Sequence, residues 1–234
     1  MLASTATAQR NNRLSRAMER YWQAERPEER EAAIGNLVNL ELPFDSVYHR
    51  LKAGRPYAPE VPTGLRNEYH TTPDGFDNHY TLVVPENYDP GAAYPVRFYL
   101  HGGTETNDRR SGVNWDAERF SDSTRIAVFP SAWRGSRWWQ YSQVQNLAGI
   151  LRALKRQYNV DENRVYVIGV SDGGIGTFFL GFRDPDRWAA LLPFIASPEA
   201  LTNDDIGADG PVYVPNLRNV PLYIVNGSLD PLYP

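Results

Sequence analysis

The chain is 234 residues long, 41% hydrophobic and 22% charged, with net charge −4 and no cysteine, a balance that suits one soluble globular domain with a sizeable core plus a short appendage. It excludes disulfides, cysteine-ligated metals and a thiol nucleophile, and without a basic run it offers no footprint for nucleic acid or an anionic membrane surface. No apolar stretch is long enough to span a bilayer.

The first residues, MLASTATAQR, place Ala6-Thr7-Ala8 before Gln9 in the small-x-small form of a signal-peptidase site, without the charged and apolar regions that should precede it. Two readings stand: a signal remnant at 1–8 of a periplasmic or secreted protein, or a frayed start of a cytoplasmic one. Residues 10 to 40 read as helix, with Leu14, Met18 and Tyr21 on one face, Pro27 at a first turn, and Ala33, Ile34, Leu37 and Leu40 as a second stripe. Prolines 43, 56, 59, 62 and 73 and the turn Pro73-Asp74-Gly75 break the next stretch into loop, with one strand around Leu65 to Thr71. The domain division expected is a helical N-terminal extension over 1–60 and a second domain over 61–234.

HYTLVVP (79 to 85) alternates as a strand does, NYDPGAAYP is turn chemistry, and PVRFYLHGG (95 to 103) is a second strand, so the pair reads as a hairpin. RIAVFPSA (125 to 132) is a short strand; Val144, Leu147, Leu151, Leu154 and Tyr158 then recur at helical spacing before the strand RVYVIGV (164 to 170). IGTFFLGF suits a buried helix, AALLPFIA (189 to 196) a further strand, and VPLYIVNG (220 to 227) a last one. Near-continuous apolar strands alternating with helices imply an α/β fold with a mostly parallel sheet covered by helices on both faces.

Gly169-Val170-Ser171-Asp172-Gly173 fits G-x-S-x-G between an apolar strand and a helix. A serine hydroxyl that attacks a carbonyl must stand clear of the sheet, which takes a sharp strand-to-helix turn, and flanking glycines let neighbouring backbone pack against it. That turn puts the Asp172 amide at a helix N-terminus, where it can stabilise an oxyanion. His101-Gly102-Gly103 closes an earlier strand, and its glycines allow a second oxyanion donor from Gly103 or its neighbour Thr104, with Gly102 part of the same loop. Asp230 follows the last strand by a few residues, where a carboxylate orients the histidine that takes a serine proton.

YNVDENRVYVIGVSDGG (158 to 174), PVRFYLHGG and PLYIVNGSLDPLYP (221 to 234) resemble the esterase, polyhydroxyalkanoate depolymerase and prolyl-oligopeptidase-like branches of the α/β-hydrolase superfamily, in the family's order. The resemblance implies a cofactor-free serine hydrolase that cleaves carboxylic esters of small molecules through an acyl-enzyme. Ser171 is then the nucleophile, the amides of Asp172 and Gly103 the oxyanion donors and Asp230 the triad acid. It also implies a histidine after the acid, past one more strand, and nothing follows Pro234. The expectation is therefore a chain cut before its last strand, helix and catalytic histidine, inactive or very weak as it stands and left with an aggregation-prone sheet edge.

His101 belongs to the oxyanion strand end, and His49, His70 and His79 precede the sheet core, so none is expected as the base. Asp74 and Asp77 between His70 and His79 match no zinc or calcium spacing, and no metal is expected. In AWRGSRWWQYSQ (132 to 143), Trp133, Trp138 and Trp139 either wall an acyl pocket, with Arg134 or Arg137 near a carboxylate, or pack against the helical lead-in. The alternatives to an esterase are a prolyl-oligopeptidase-like peptidase and a catalytically inactive binding module on the same fold.

Overall fold

The computed structural model describes residues 2–24, 26–113, 117–120, 122 and 124–232. Met1, which opens the candidate signal stretch, and Pro234 lie outside them. The chain divides into two compact units, 1–57 and 58–234.

The first unit is helical. α1 (Leu2–Gln23) and α2 (Pro27–Val38) bury Leu14, Met18, Ala24 and Ala33, while Ile34 is 45% exposed. Pro27 opens α2 at its first position, where a missing N–H costs nothing. α3 (Phe44–Lys52) falls where loop was expected. Pro43 caps this helix from outside rather than interrupting it, and with no buried residue α3 lacks the core stripe that marks a helix in sequence.

The second unit is a six-stranded sheet: β1 (Gly64–Thr71), β2 (Asp77–Val84), β3 (Tyr94–Leu100), β4 (Ile126–Pro130), β5 (Val160–Val170) and β6 (Ala190–Phe194), in the order β1-β2-β4-β3-β5-β6. β4, β3, β5 and β6 run parallel; β1 and β2 are antiparallel additions at one side. The hairpin expected between β2 and β3 is instead formed by β1 and β2, across a turn in which Thr72 N–H donates to Phe76 O (2.9 Å) and Gly75 adopts φ 84°. β4 separates β2 from β3, because β3, apolar on both faces at Phe98, Tyr99 and Leu100, takes the sheet centre.

Residues alternate between two layers. Val96, Phe98, Leu100, Ile126, Val128, Val165 and Val167 face α4 (Tyr141–Gln157) and α5 (Asp172–Arg183), whose Leu147, Ile150, Leu151, Phe178 and Phe179 complete the main core. Val83, Tyr99, Ala127 and Phe129 face the other way, with the rings of Tyr99 and Phe129 stacked 5.0 Å apart. Helices were expected on both faces, yet among the described residues of this unit α4 and α5 share one. The described residues of the connection from β3 to β4 form turns and a 3₁₀ turn at Ala117–Phe120. That face holds an apolar hollow of about 440 Å³ bordered by Tyr99, Phe120, Ile168 and Leu192.

The stretch 220–227 runs parallel beside β6 without becoming a continuous strand. Leu191 N–H donates to Pro221 O, Tyr223 N–H to Leu191 O, Val225 N–H to Pro193 O and Ile195 N–H to Val225 O. The bond missing from this ladder would come from residue 193, a proline with no N–H, so only isolated bridges at Leu191–Leu222 and Phe194–Val225 remain. Asn226 extends the pairing with its side chain, which accepts from Ala196 N–H (3.1 Å) and donates to Ala196 O (3.2 Å).

Candidate active site

β5 ends and α5 begins at Ser171, which holds φ 55° and ψ −120°, a strained conformation for a residue with a side chain. Its N–H donates to Phe194 O (3.0 Å), fastening the turn to the end of β6, where Ile195 is itself strained at φ 53°. Glycine is obligatory around it. A Cβ on Gly169 would lie 2.0 Å from Gly173 O, and one on Gly173 2.1 Å from Leu100 O, so strand, turn and helix cross at distances that leave no room for a Cβ.

The His101-Gly102-Gly103 loop comes up beside the serine: a Cβ on Gly102 would meet Ser171 Cβ at 3.1 Å and Oγ at 3.6 Å. The His101 ring is fixed at both nitrogens. Ala132 N–H donates to Nε2 (3.1 Å), which leaves the proton on Nδ1 to be given to Gly102 O (2.7 Å), while Trp138 Nε1–H donates to His101 O (2.8 Å). Burial pushes the His101 pKa below 6.5 and keeps the ring neutral. His101 is thus a structural bracket, with no nitrogen left to take a proton from Ser171. Among the described residues no hydrogen bond joins the Ser171 hydroxyl to a histidine.

Thr104 cannot serve as the alternative oxyanion donor, because its N–H already donates to Asp172 Oδ2 (2.7 Å), and its hydroxyl donates to the same oxygen (2.9 Å). Gly103, at φ 70°, lies between this anchor and the His101 bracket. Asp172 opens α5, so its own amide is one of the unpaired N–H groups of a helix N-terminus.

A cavity of about 390 Å³ adjoins this turn, bordered by Glu105, Arg137, Trp139, Asp172, Asn203 and Asp205. Of the residues expected in a pocket, Trp139 and Arg137 line it. Trp139 is nonetheless buried and donates from Nε1 to Ile206 O (2.9 Å). Trp138 belongs to the core, where its Cβ fills the space a side chain on Gly176 would need, and Trp133 packs edge-on to Phe76 at 6.1 Å. Arg137 reaches a carboxylate of the protein itself, Glu105 (2.6 Å), which Arg134 also approaches (3.4 Å). Asn203 and Asp205 carried no signal in the sequence, since two short 3₁₀ turns after β6 bring them in.

Asp230 stands in the loop beyond Asn226, past the C-terminal end of β6, the end of the sheet that carries Ser171. Its Oδ1 accepts from Leu232 N–H (2.8 Å) and its own N–H donates to Gly227 O (2.9 Å). Among the described residues no group of three or more histidines and carboxylates is placed to hold a metal ion, and no helix is long and apolar enough to cross a membrane.

No family model matches the chain. Over 160 residues, 67% of this chain and 22% of the relative, it is 28% identical to a bifunctional acetylxylan esterase/xylanase of Neocallimastix patriciarum. Over 144 residues it is 24% identical to dipeptidyl-peptidase 5 of Porphyromonas gingivalis, covering 56% of this chain and 21% of that one. The chain spans about a fifth of the length of these curated relatives. The crystal structure of a thermostable esterase superposes with TM-score 0.55 at 24% identity, over 73% of this chain and 48% of that one. The fold is the α/β-hydrolase fold.

Proposed function

We propose that this chain carries the nucleophile and oxyanion hole of a serine hydrolase that cleaves carboxylic esters. The observation that carries the reading is Ser171, strained at φ 55° on the turn from β5 into α5 with the His101-Gly102-Gly103 loop against its side chain. Strain concentrated where a hydroxyl must be exposed is what a nucleophile requires, and a solvated turn serine has no use for it.

In the reaction, a base takes the Ser171 proton as Oγ attacks the ester carbonyl carbon, and the carbonyl π electrons move onto oxygen. The amides of Gly103 and Asp172 hold that oxyanion. Collapse breaks the bond to the alcohol, which leaves with the proton from the base, and water then releases the acid by the same steps in reverse order. Asp230, on the loop beyond the segment paired with β6, is the acid in this account. The base is a histidine other than His101, whose two ring nitrogens are engaged.

The adjoining cavity narrows the substrate. Among the described residues Glu105, Asp172 and Asp205 border it with the cation of Arg137, which Glu105 already pairs. An uncharged, hydroxyl-bearing ester suits that field better than an anionic one. The similarity to the acetylxylan esterase supports the ester reading, and that to the dipeptidyl-peptidase supports a peptidase as the rival.

The test uses a gene product that carries the histidine and compares it with its Ser171→Ala variant on a neutral acetyl ester, the succinyl half-ester of the same alcohol and a proline anilide. Turnover of the neutral ester that Ser171→Ala abolishes, with the half-ester slower by about tenfold, is the expected outcome. Cleavage of the anilide alone makes the protein a peptidase. A folded product with that histidine that turns over none of the three contradicts the proposal and leaves the inactive-module reading.

A further inference from the structure

We propose that the Asp172 carboxylate is a positioning residue: it clamps Thr104 so that the Gly103 amide faces the oxygen that Ser171 will generate. This rests on the serine hydrolase reading above and assigns a second task to a residue whose main-chain amide is already one oxyanion donor.

The geometry is that of a loop held at both ends. At its start, His101 is locked through both ring nitrogens and through its carbonyl to Trp138. At its finish, fully buried Thr104 gives both its N–H and its hydroxyl to Asp172 Oδ2, at 2.7 and 2.9 Å. Gly102 and Gly103 span the gap, and Gly103 turns at φ 70°, so the peptide plane that presents its amide is set by the two anchors. The clamp also links the two halves of the oxyanion hole directly, since the residue that supplies one amide holds, across 68 positions of sequence, the neighbour of the residue that supplies the other. Oxyanion donors act through preorganisation, so a loop free to rotate would forfeit part of their effect even with both amides present.

A carboxylate this close to a developing negative charge opposes the reaction through its own charge. Its presence therefore points to its acceptor geometry as the useful property, and the two donors of Thr104 offset the charge. An asparagine carbonyl oxygen accepts the same two hydrogen bonds without that charge, which separates clamp from electrostatics.

Two readouts are taken on a gene product that carries the histidine: hydrogen exchange of the Thr104 amide, and the second-order rate at which a fluorophosphonate phosphonylates Ser171, followed by intact mass. Asp172→Ala is expected to lose Thr104 protection and to slow labelling by about tenfold to a hundredfold, part of the 10²–10³ that one donor supplies. Asp172→Asn is expected to regain protection and react at least tenfold faster than Asp172→Ala. Thr104→Val, which keeps the amide donor and loses the hydroxyl, should fall between; it carries the test should Asp172→Ala not fold. Asp172→Ala labelling as fast as the wild type, or Asp172→Asn as slow as Asp172→Ala, overturns the clamp while the nucleophile stands. A wild-type product with that histidine that does not label overturns the hydrolase reading itself.

Discussion

Two stretches at the same end of the sheet are built in opposite ways. At the Gly169–Thr177 turn, backbone crosses backbone at distances that exclude any side chain, Thr177 Oγ1 donates to Gly173 O (2.8 Å), and everything from Gly173 to Phe182 is buried. Beside it, Leu222, Tyr223, Ile224 and Val225 are exposed and paired on one side only, in a ladder interrupted by Pro193. The first stretch holds a strained serine because its surroundings over-determine it. The second is held by a few hydrogen bonds and the side chain of Asn226. A candidate nucleophile thus sits on the rigid stretch and a candidate triad acid on the adaptable one.

The contrast can be broken most sharply at the glycines. Gly173→Ala forces a Cβ against the Leu100 carbonyl, backbone that cannot swing away, and is expected to cost about 3 kcal/mol or more, read as a fall in the urea midpoint. A loss under 1 kcal/mol would mean that the crossing is looser than drawn. At Ser171 the strain has a sign. Ser171→Gly relieves φ 55° and Ser171→Ala does not, so the glycine variant is expected to be about 1 kcal/mol the more stable of the two despite its greater unfolded-state entropy.

On the adaptable side, Pro193→Val supplies the missing N–H. It should complete the ladder to 220–227, add about 1 kcal/mol, and slow hydrogen exchange through Tyr223 and Val225. Unchanged exchange there would show that something other than proline interrupts the pairing. The smallest effect is one of pH. His101 is buried and His70 half-buried, and burial holds each folded pKa below 6.5. The unfolded chain therefore binds more protons below about pH 6.5, and stability is lost as pH falls through that value toward the depressed folded pKa values. Urea midpoints at pH 7.5 and 5.5 check the direction.

How much of this was legible in the sequence follows from what kind of contact decides each feature. β3, β4, α4 and α5 are visible as apolar runs of the right period because burial alone selects their residues. The turn around Ser171 is visible because its glycines answer to local crossings. The partner of β2 was not legible, since strand order depends on which strand is apolar on both faces, and a turn-rich connection looks the same whether it returns to a neighbour or passes one by. The break at 220–227 was hidden because its cause, Pro193, lies in the partner strand. Trp133 and Trp138, just after a strand end, read either as pocket walls or as packing against the helical lead-in, and their burial depends instead on Phe76 and Gly176, distant in sequence. The side-chain task of Asp172 was equally hidden, since Thr104 lies 68 residues away.

The central claim is that Ser171 is built to attack a carbonyl, and the most direct measurement is site-mapped reaction of a folded gene product that carries the histidine with a fluorophosphonate. A single adduct on the peptide containing Ser171, absent in Ser171→Ala and lost on unfolding, is the result expected. A folded product with that histidine that stays unmodified under conditions that label control serine esterases, or that is labelled at another residue, would contradict it.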